Sequence, residues 1–506
     1  MRDAIRFTLF MGVILAVIIC TIIWPVYGLS GIAAILFIIG LYDVFQRKHA
    51  ILRNFPLLGH MRYLLEMIGP EIHQYFVEDN TDGKPIDRNH RAYIYARAKS
   101  QNDTHPFGTE LDVNQELFSY MKHSIYPASV LRDPPRVTIG GSECKQPYSA
   151  SIFNISAMSY GALSKNAVMA LNIGAKIGGF YHNTGEGGIS PYHRKGGDVV
   201  FQLGTAYFGA RTKEGEFNPE LFKEKAAWPE VKMIELKLSQ GAKPGHGGVL
   251  PAVKNNEEIA EIRGLEPHTD VLSPFGHSAF DDAEGLLRFI QKLRELSGGK
   301  PVGFKLAIGS KREFREICEK MVETGIKPDF ITVDGAEGGT GAAPIDFSNY
   351  VGFPWEEALI FVTDCLNGYD LKKDIKVITA TKIFTAFDVY KALCIGADAC
   401  NSARGMMLAL GCIQALKCNT NKCPTGVTTN DPRLVRGLDV ELKSKRVANY
   451  QRRIVEDFLE LFAASGCTDL KQLNRHMIYK KLNDTIKSYD TYFPTIQEGD
   501  YLEKVG

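Results

Sequence analysis

Cys412, Cys418 and Cys423 fall within twelve positions, spaced C-x(5)-C-x(4)-C, with Pro424 directly after the last. Thiolate clusters followed by proline are a way of holding iron–sulfur centres, because the metal needs several soft anionic ligands on one short loop. Zinc would want four ligands, usually paired at C-x(2–4)-C spacing, and no histidine lies between His277 and His476 to complete such a set. Three cysteines fit a 3Fe-4S cluster best. Buried structural thiols are a fair reading of Cys318, Cys394 and Cys400, which lie in apolar runs. They are a poor reading of Cys418 and Cys423, which sit among Lys417, Asn419, Thr420, Asn421 and Lys422.

A second set of residues asks for an anionic cofactor. Lys305 stands in the apolar run Gly303-Phe304-Lys305-Leu306, where an unpaired ammonium would pay a large desolvation penalty. Beside the pyrimidine edge of a flavin it would instead stabilise the negative charge of the reduced ring. Lys237 invites the same argument more weakly, and a surface-facing lysine is the bland alternative. Gly338-Gly339-Thr340-Gly341 has side chains small enough for backbone N–H groups to close around a phosphate, although such a loop taken alone is more often a turn. Thr381, Thr385 and the run Ser402-Ala403-Arg404-Gly405 supply further donors downstream.

These residues need a scaffold, and the composition allows a large one. The chain has 506 residues, 45% of them hydrophobic, and 59 Lys+Arg against 58 Asp+Glu leave a net charge of +1. Disorder is excluded, and a nucleic-acid surface is disfavoured for want of a basic excess. Ten cysteines are too few for a disulfide scaffold and point to a reducing compartment. Short apolar or β-branched runs alternate with helical stretches, the texture of βαβ units. The expected strands are Ile152 to Ala157, Gly179 to His182, Val199 to Leu203, Met233 to Leu238, Val302 to Ala307, Phe330 to Val333, Val377 to Ala380 and Ala399 to Ser402. Eight such strands close a (β/α)8 TIM barrel, whose chemistry lies in the loops after the strands. Those loops carry Met158 and Ser159, Asn183 and Glu186, Lys243 and His246, and the run from Asp334 to Gly341. The expected domains are 1–50 as a transmembrane hairpin, 51–147 as a lead-in segment, 148–430 as the barrel and 431–506 as a C-terminal helical extension.

The N-terminal expectation rests on a run without charge from Phe7 to Tyr42, 36 positions, where one membrane-crossing helix needs only about 20. Trp24-Pro25-Val26-Tyr27-Gly28-Leu29-Ser30-Gly31 reads as a turn between two spans. Arg2 and Arg6 before the run and Arg47, Lys48 and Arg53 after it place both ends in the cytoplasm by the positive-inside rule. The expected location is the cell membrane, with two spans.

From about Ile152 to Val427 the sequence resembles the FMN-binding synthase domain of glutamate synthase, and among its members the small membrane-anchored glutamate synthase-like proteins. The motifs that carry this are Ser156 to Ser164 (SAMSYGALS), Asn183 to Gly188 (NTGEGG), Gln240 to Gly245 (QGAKPG), Asp334 to Pro344, and Leu410 to Val427 around the three cysteines. The resemblance implies FMN, a 3Fe-4S cluster on Cys412, Cys418 and Cys423, and reductive amination of 2-oxoglutarate to glutamate. By position Lys243 and Arg263 are similar to the family's ligands for the 2-oxo acid's carboxylates and Glu186 to its active-site carboxylate; Lys305 is expected to be catalytic by the flavin argument above, and His246 to lie with the substrate-binding residues. FMN would rest on Met158, Ser159, Asn183, Lys237, Lys305, Gly338, Gly339, Thr340, Thr381 and Arg404. His246 and Val249 stand where the family pattern has Glu and Gln, which favours a related rival, glutamate-dependent amine transfer. Neither a glutamine-hydrolysing domain nor a C-terminal Rossmann fingerprint is apparent. Ammonia or an amine, a ferredoxin-like or membrane electron donor and a separate amidotransferase subunit are the expected partners. A non-catalytic membrane redox subunit is the rival from another class, disfavoured by the intact Glu186, Lys243 and Lys305.

Overall fold

Parallel strands buried on both faces must be covered by helices or closed into a barrel, and here the sheet closes. The computed structural model describes residues 11, 12, 14–19, 27–101 and 104–502, in two compact units, 1–89 and 90–506. In the second unit eight strands form a closed barrel: β1 (Phe153–Ile155), β2 (His182–Asn183), β3 (Val199–Leu203), β4 (Val231–Lys237), β5 (Val302–Ala307), β6 (Phe330–Asp334), β7 (Lys376–Ala380) and β8 (Ala399–Ser402). All neighbours are parallel, and Cys400 opposite Phe153 closes β8 onto β1. Each expected strand run overlaps one of the eight. β2 starts later than expected because Gly179, at φ +66°, caps the helix Lys165–Gly178 in the left-handed conformation.

One end of the barrel is plugged. The hairpin Arg136–Ile139 with Tyr148–Ser151 packs Ile139, Tyr148 and Ala150 on Tyr181, Val200, Met233, Phe330, Ile378 and Ala399, mostly at the amino ends of the strands. Full burial of each large apolar side chain contributes roughly 1.5 to 3 kcal/mol. The carboxyl ends are left to the loops.

The C-terminal segment is helical only in part. Val440–Ala464 runs for 25 residues, capped by Asp439, whose carboxylate accepts from Leu442 N at 2.7 Å. It packs against Lys165–Gly178 and Ala386–Cys394. Beyond it Ile478–Leu482 and Thr485–Ser488 form a hairpin that pairs with Ser119–Met121. Its turn residues Asn483 and Asp484 both have positive φ, 49° and 60°, as a tight hairpin turn requires.

The expected N-terminal transmembrane hairpin and the membrane location are corrected. Arg2, Arg6 and Trp24 to Val26 lie outside the described residues. Tyr27 to Gly31, read as part of a turn, opens the helix Tyr27–Phe45. Its uncharged stretch ends at Tyr42 after 16 residues, about 24 Å of helix against the roughly 30 Å of a hydrocarbon core. The next residue, Asp43, is fully buried and accepts hydrogen bonds from Leu57 N at 3.0 Å and His60 Nε2 at 2.9 Å. Among the described residues no helix is long and apolar enough to cross a membrane.

Candidate active site

Polar side chains occupy the barrel interior beneath the loops. Glu235 on β4, 1% exposed, accepts from Asn183 Nδ2 at 2.8 Å, Gln202 Nε2 at 2.6 Å and Thr332 Oγ1 at 2.6 Å. A buried carboxylate is tolerable when its lone pairs are satisfied in this way.

Above it four charged groups converge. Glu186, after β2, accepts from Lys237 Nζ, the last residue of β4, at 2.8 Å. Burial alone would raise the Glu186 pKa, but Lys237, then Lys243 and Arg263, outweigh burial and hold the carboxyl below its ordinary value. Lys243 is 2% exposed and donates to Ala342 O at 2.9 Å. Burial pushes its ammonium down to about 8, against an upward pull from Glu186. Arg263, also buried, ends the short helix Glu257–Arg263 and donates from Nη2 to Tyr160 O at 3.0 Å. Burial pushes it down to about 10, and its Nε is buried without a partner among the described residues. Three cations around one carboxylate leave an excess of positive charge, which suits an anionic substrate.

The loops that carry these groups touch closely. Gly185 has φ +65°, and a Cβ on it would lie 2.6 Å from Ser159 N, so the loops bearing Met158, Ser159 and Glu186 are in direct contact. A Cβ on Gly248 would lie 2.7 Å from Glu186 Oε1, which brings the His246-Gly247-Gly248 segment alongside that carboxylate. His246 itself donates from Nδ1 to Gly247 O at 2.8 Å, and its ring centroid lies 5.1 Å from those of both Phe275 and Phe347.

Lys305 is not the unpaired ammonium expected from the sequence. Its Nζ lies 3.2 Å from Asp334 Oδ2. Burial lowers its pKa, but Asp334 and Glu235 more than reverse this and raise it. Asp334 also accepts from Gly241 N at 3.0 Å and Thr381 Oγ1 at 2.8 Å, and Gly335 N donates to Thr381 Oγ1 at 2.9 Å. Gly241 has no room for a side chain, since a Cβ would fall 1.6 Å from Gly335 O. Thr381 sits at φ +134°, a strained conformation for a β-branched residue and one met at functional sites.

The loop expected to hold a phosphate follows β6. Gly338 N donates to Gly335 O at 2.9 Å, and Gln240 Nε2 donates to Thr340 Oγ1 at 3.2 Å. Arg404 donates from Nη2 to Glu337 O at 2.6 Å, and its side chain stands where a Cβ on Gly339 would be, 2.8 Å away. A backbone-rich loop with a guanidinium against it suits a phosphate group.

The three cysteines share one loop and feel one another's charge. Burial pushes Cys412 up to about 11. Cys423 is lowered: burial opposes this, but hydrogen bonds from Thr425 and Thr428 prevail. Among the described residues no three His, Cys, Asp or Glu side chains form a group that could hold a single metal ion; a 3Fe-4S cluster asks instead for one thiolate on each of three irons. Its chemistry still fits an anionic centre. Next to Cys418 and Cys423 lies Lys254, 2% exposed, with carbonyl oxygens and no carboxylate as its partners among the described residues.

Sequence reasoning missed Glu235, Asp334 as the partner of Lys305, and Lys254. Glu235 was signalled by a charge inside an apolar strand run; Lys254 carries no local signal.

A region from 101 to 468, more than half of the chain, matches the family model described as the conserved region in glutamate synthase. The chain belongs to the glutamate synthase family. It is thereby an oxidoreductase of the kind acting on CH–NH2 donors. It is 38% identical to the glutamate synthase large subunit-like protein YerD of Bacillus subtilis, over 94% of this chain and 98% of that one. It is 34% identical to the archaeal-type glutamate synthase [NADPH] of Thermotoga neapolitana and to the archaeal glutamate synthase [NADPH] of Methanocaldococcus jannaschii, over 63% of this chain and 60% of each of those. The chain thus spans about three fifths of the length of those two enzymes. Among solved structures it is similar to a flavocytochrome b2 variant with pyruvate bound, at 15% identity and a TM-score of 0.42, covering 83% of this chain and 85% of that one.

Proposed function

We propose that this glutamate synthase family member is an FMN- and iron–sulfur-dependent enzyme that reductively aminates 2-oxoglutarate or a related 2-oxo acid. The balance is one 2-oxo acid, one ammonia, two electrons and two protons giving one amino acid and one water. The observation that carries this reading is the excess of two buried cations, Lys243 and Arg263, over the internally paired Glu186 and Lys237. Such an excess suits the carboxylates of a 2-oxo acid.

FMN, when bound, supplies the two-electron hydride chemistry. Gly338, Gly339, Thr340 and Arg404 would hold its phosphate. Met158, Ser159, Asn183, Lys305 and Thr381 would face the rest of it. Cys412, Cys418 and Cys423 would hold the 3Fe-4S cluster, with a ferredoxin-like protein as electron donor. Lys243 and Arg263 bind and orient the acid. Glu186, kept ionised by Lys237, accepts a proton from the nitrogen nucleophile. A second reading, amine transfer from glutamate to an acceptor other than a dicarboxylate, is favoured by His246 with Phe275 and Phe347 against its ring, an apolar cluster on the segment whose Gly248 abuts Glu186.

The test is anaerobic: protein reduced at its flavin is mixed with 2-oxo acids and ammonia. Reoxidation that requires both substrates and yields the amino acid is expected. No reoxidation with any 2-oxo acid, or no flavin in the purified protein, refutes the reading.

A further inference from the structure

We infer that Lys254 is a positioning residue, the buried counter-ion and tether of the cysteine loop. The tether rests on the geometry below; the counter-ion role and the redox part of its test rest on the iron–sulfur reading above. Lys254 ends the single turn Ala252–Lys254. Its Nζ donates to Ala162 O at 2.6 Å, Cys418 O at 3.1 Å and Thr428 O at 3.1 Å. The first acceptor lies in the loop after β1; the other two bracket Cys423. One ammonium therefore ties the cysteine loop to the loop that bears Met158 and Ser159, using all three of its N–H bonds.

Other contacts wrap the same turn. Asn421 Nδ2 donates to Val253 O at 3.0 Å, and Asn430 Nδ2 donates to Lys254 O at 3.0 Å and to Gly161 O at 3.3 Å. The tether also reaches the charged cluster. Gly161 and Ala162 follow Tyr160, whose carbonyl takes the Arg263 guanidinium.

A tether does not need a charge. Asn421 and Asn430 make equivalent amide-to-carbonyl bonds in the same loop without one, whereas a buried ammonium is costly unless an anion balances it. The charged groups that act on Lys254 are Arg263, of the same sign, and the thiols of Cys418 and Cys423. No carboxylate among the described residues pairs with it. Thiolates that ligate a metal at those sulfurs would supply that balancing charge. Beside such a centre the Lys254 ammonium would favour its more negative, reduced form.

The test compares full-length protein with Lys254→Met and Lys254→Gln, prepared anaerobically. Gln keeps an N–H donor but not the charge. Iron, acid-labile sulfide and FMN are counted per chain, the iron–sulfur midpoint potential is measured by redox titration with paramagnetic resonance, and amide exchange is followed over residues 412–428. In Lys254→Met the loop should exchange faster and iron should fall while FMN stays bound. In Lys254→Gln iron should be retained with a midpoint potential more negative than wild type. An unchanged potential in Lys254→Gln, or unchanged exchange and iron content in Lys254→Met, overturns the inference. If wild-type protein holds no iron and sulfide, the cluster reading fails. The tether is then judged on exchange alone, where faster exchange in Lys254→Met supports it and equal exchange refutes it.

Discussion

The affinity for a 2-oxo acid should fall as pH rises through about 8, because Lys243 loses its proton there. Burial pushes this ammonium down to about 8 from an ordinary value of 10.5, so in the free protein it is mostly charged at pH 7 and mostly neutral at pH 9. A cation is lost on the alkaline side; carboxylate binding is therefore intact below pH 8 and weakens above it. At pH 9 only about a tenth of the free protein carries the charge, which raises the apparent Kd roughly tenfold if binding requires it. Glu186 contributes no slope in this range, since its pKa is held below the ordinary carboxylate value. Calorimetric titration of 2-oxoglutarate into the protein at pH 6.5, 7.5, 8.5 and 9.5 measures the dependence. Lys243→Met should bind about 10 to 150 times more weakly at pH 7, the loss of one charge-assisted hydrogen bond of roughly 1.5 to 3 kcal/mol, and should show no slope near pH 8. A wild-type Kd that is flat from pH 7 to 9.5, or a slope that persists in Lys243→Met, refutes the assignment of Lys243 to the carboxylate.

Arg263→Ala should weaken 2-oxo acid binding by a similar 10- to 150-fold, roughly 1.5 to 3 kcal/mol, while FMN content per chain stays unchanged; equal loss of both would make Arg263 structural. Asp334→Asn leaves Lys305 without its partner at 3.2 Å and should cost about 3 to 5 kcal/mol in urea unfolding at pH 7; an unchanged stability would show that Asp334 is not what balances Lys305. His182, fully buried with both ring nitrogens unpartnered among the described residues, is pushed down to about 3 by burial. It stays neutral in the fold while the unfolded chain takes up a proton below pH 6.5. Stability is therefore present above that pH and lost as pH falls towards 3. In His182→Phe the stability difference between pH 7 and pH 5 should shrink by about 2 kcal/mol, and an unchanged difference would show that other groups govern acid unfolding.

The barrel was legible because most of its strands are apolar or β-branched runs bounded by helix signals, and a strand buried on both faces leaves that pattern in the local sequence. What escaped was set by distance along the chain. The C-terminal hairpin pairs Tyr479 with Tyr120, and the run Ile478–Leu482 takes its strand character from that partner as much as from its own residues. Asn483-Asp484 was the signal for its turn, overlooked beside the long helix before it. The N-terminal run misled for a related reason. Its lack of charge is a true feature of the sequence, but Asp43 is folded inward onto His60 and Leu57, contacts that a window of hydropathy does not contain.

Charges inside the barrel follow the same rule, and it bears on which of them can act. The sequence places Lys237, Lys305, Glu186 and Asp334 near strand ends but says nothing of who pairs with whom, because the pairs join Lys237 to Glu186 and Lys305 to Asp334 across the sheet. Pairing removes a charge from the stock available to a ligand, since an ion already matched at hydrogen-bond distance must break one bond to make another. Lys305 was singled out as an uncompensated cation; with Asp334 beside it, its ammonium is fixed in place and its charge largely balanced within the protein. Lys243 and Arg263 were named only through resemblance, yet among the cations around Glu186 they are the two whose hydrogen bonds go to backbone carbonyls. A carbonyl orients a cation without neutralising it. In the proposed reaction those two are the cations of the cluster free to meet a substrate, and the Arg263 Nε, unpartnered among the described residues, is the atom that an incoming carboxylate oxygen would satisfy.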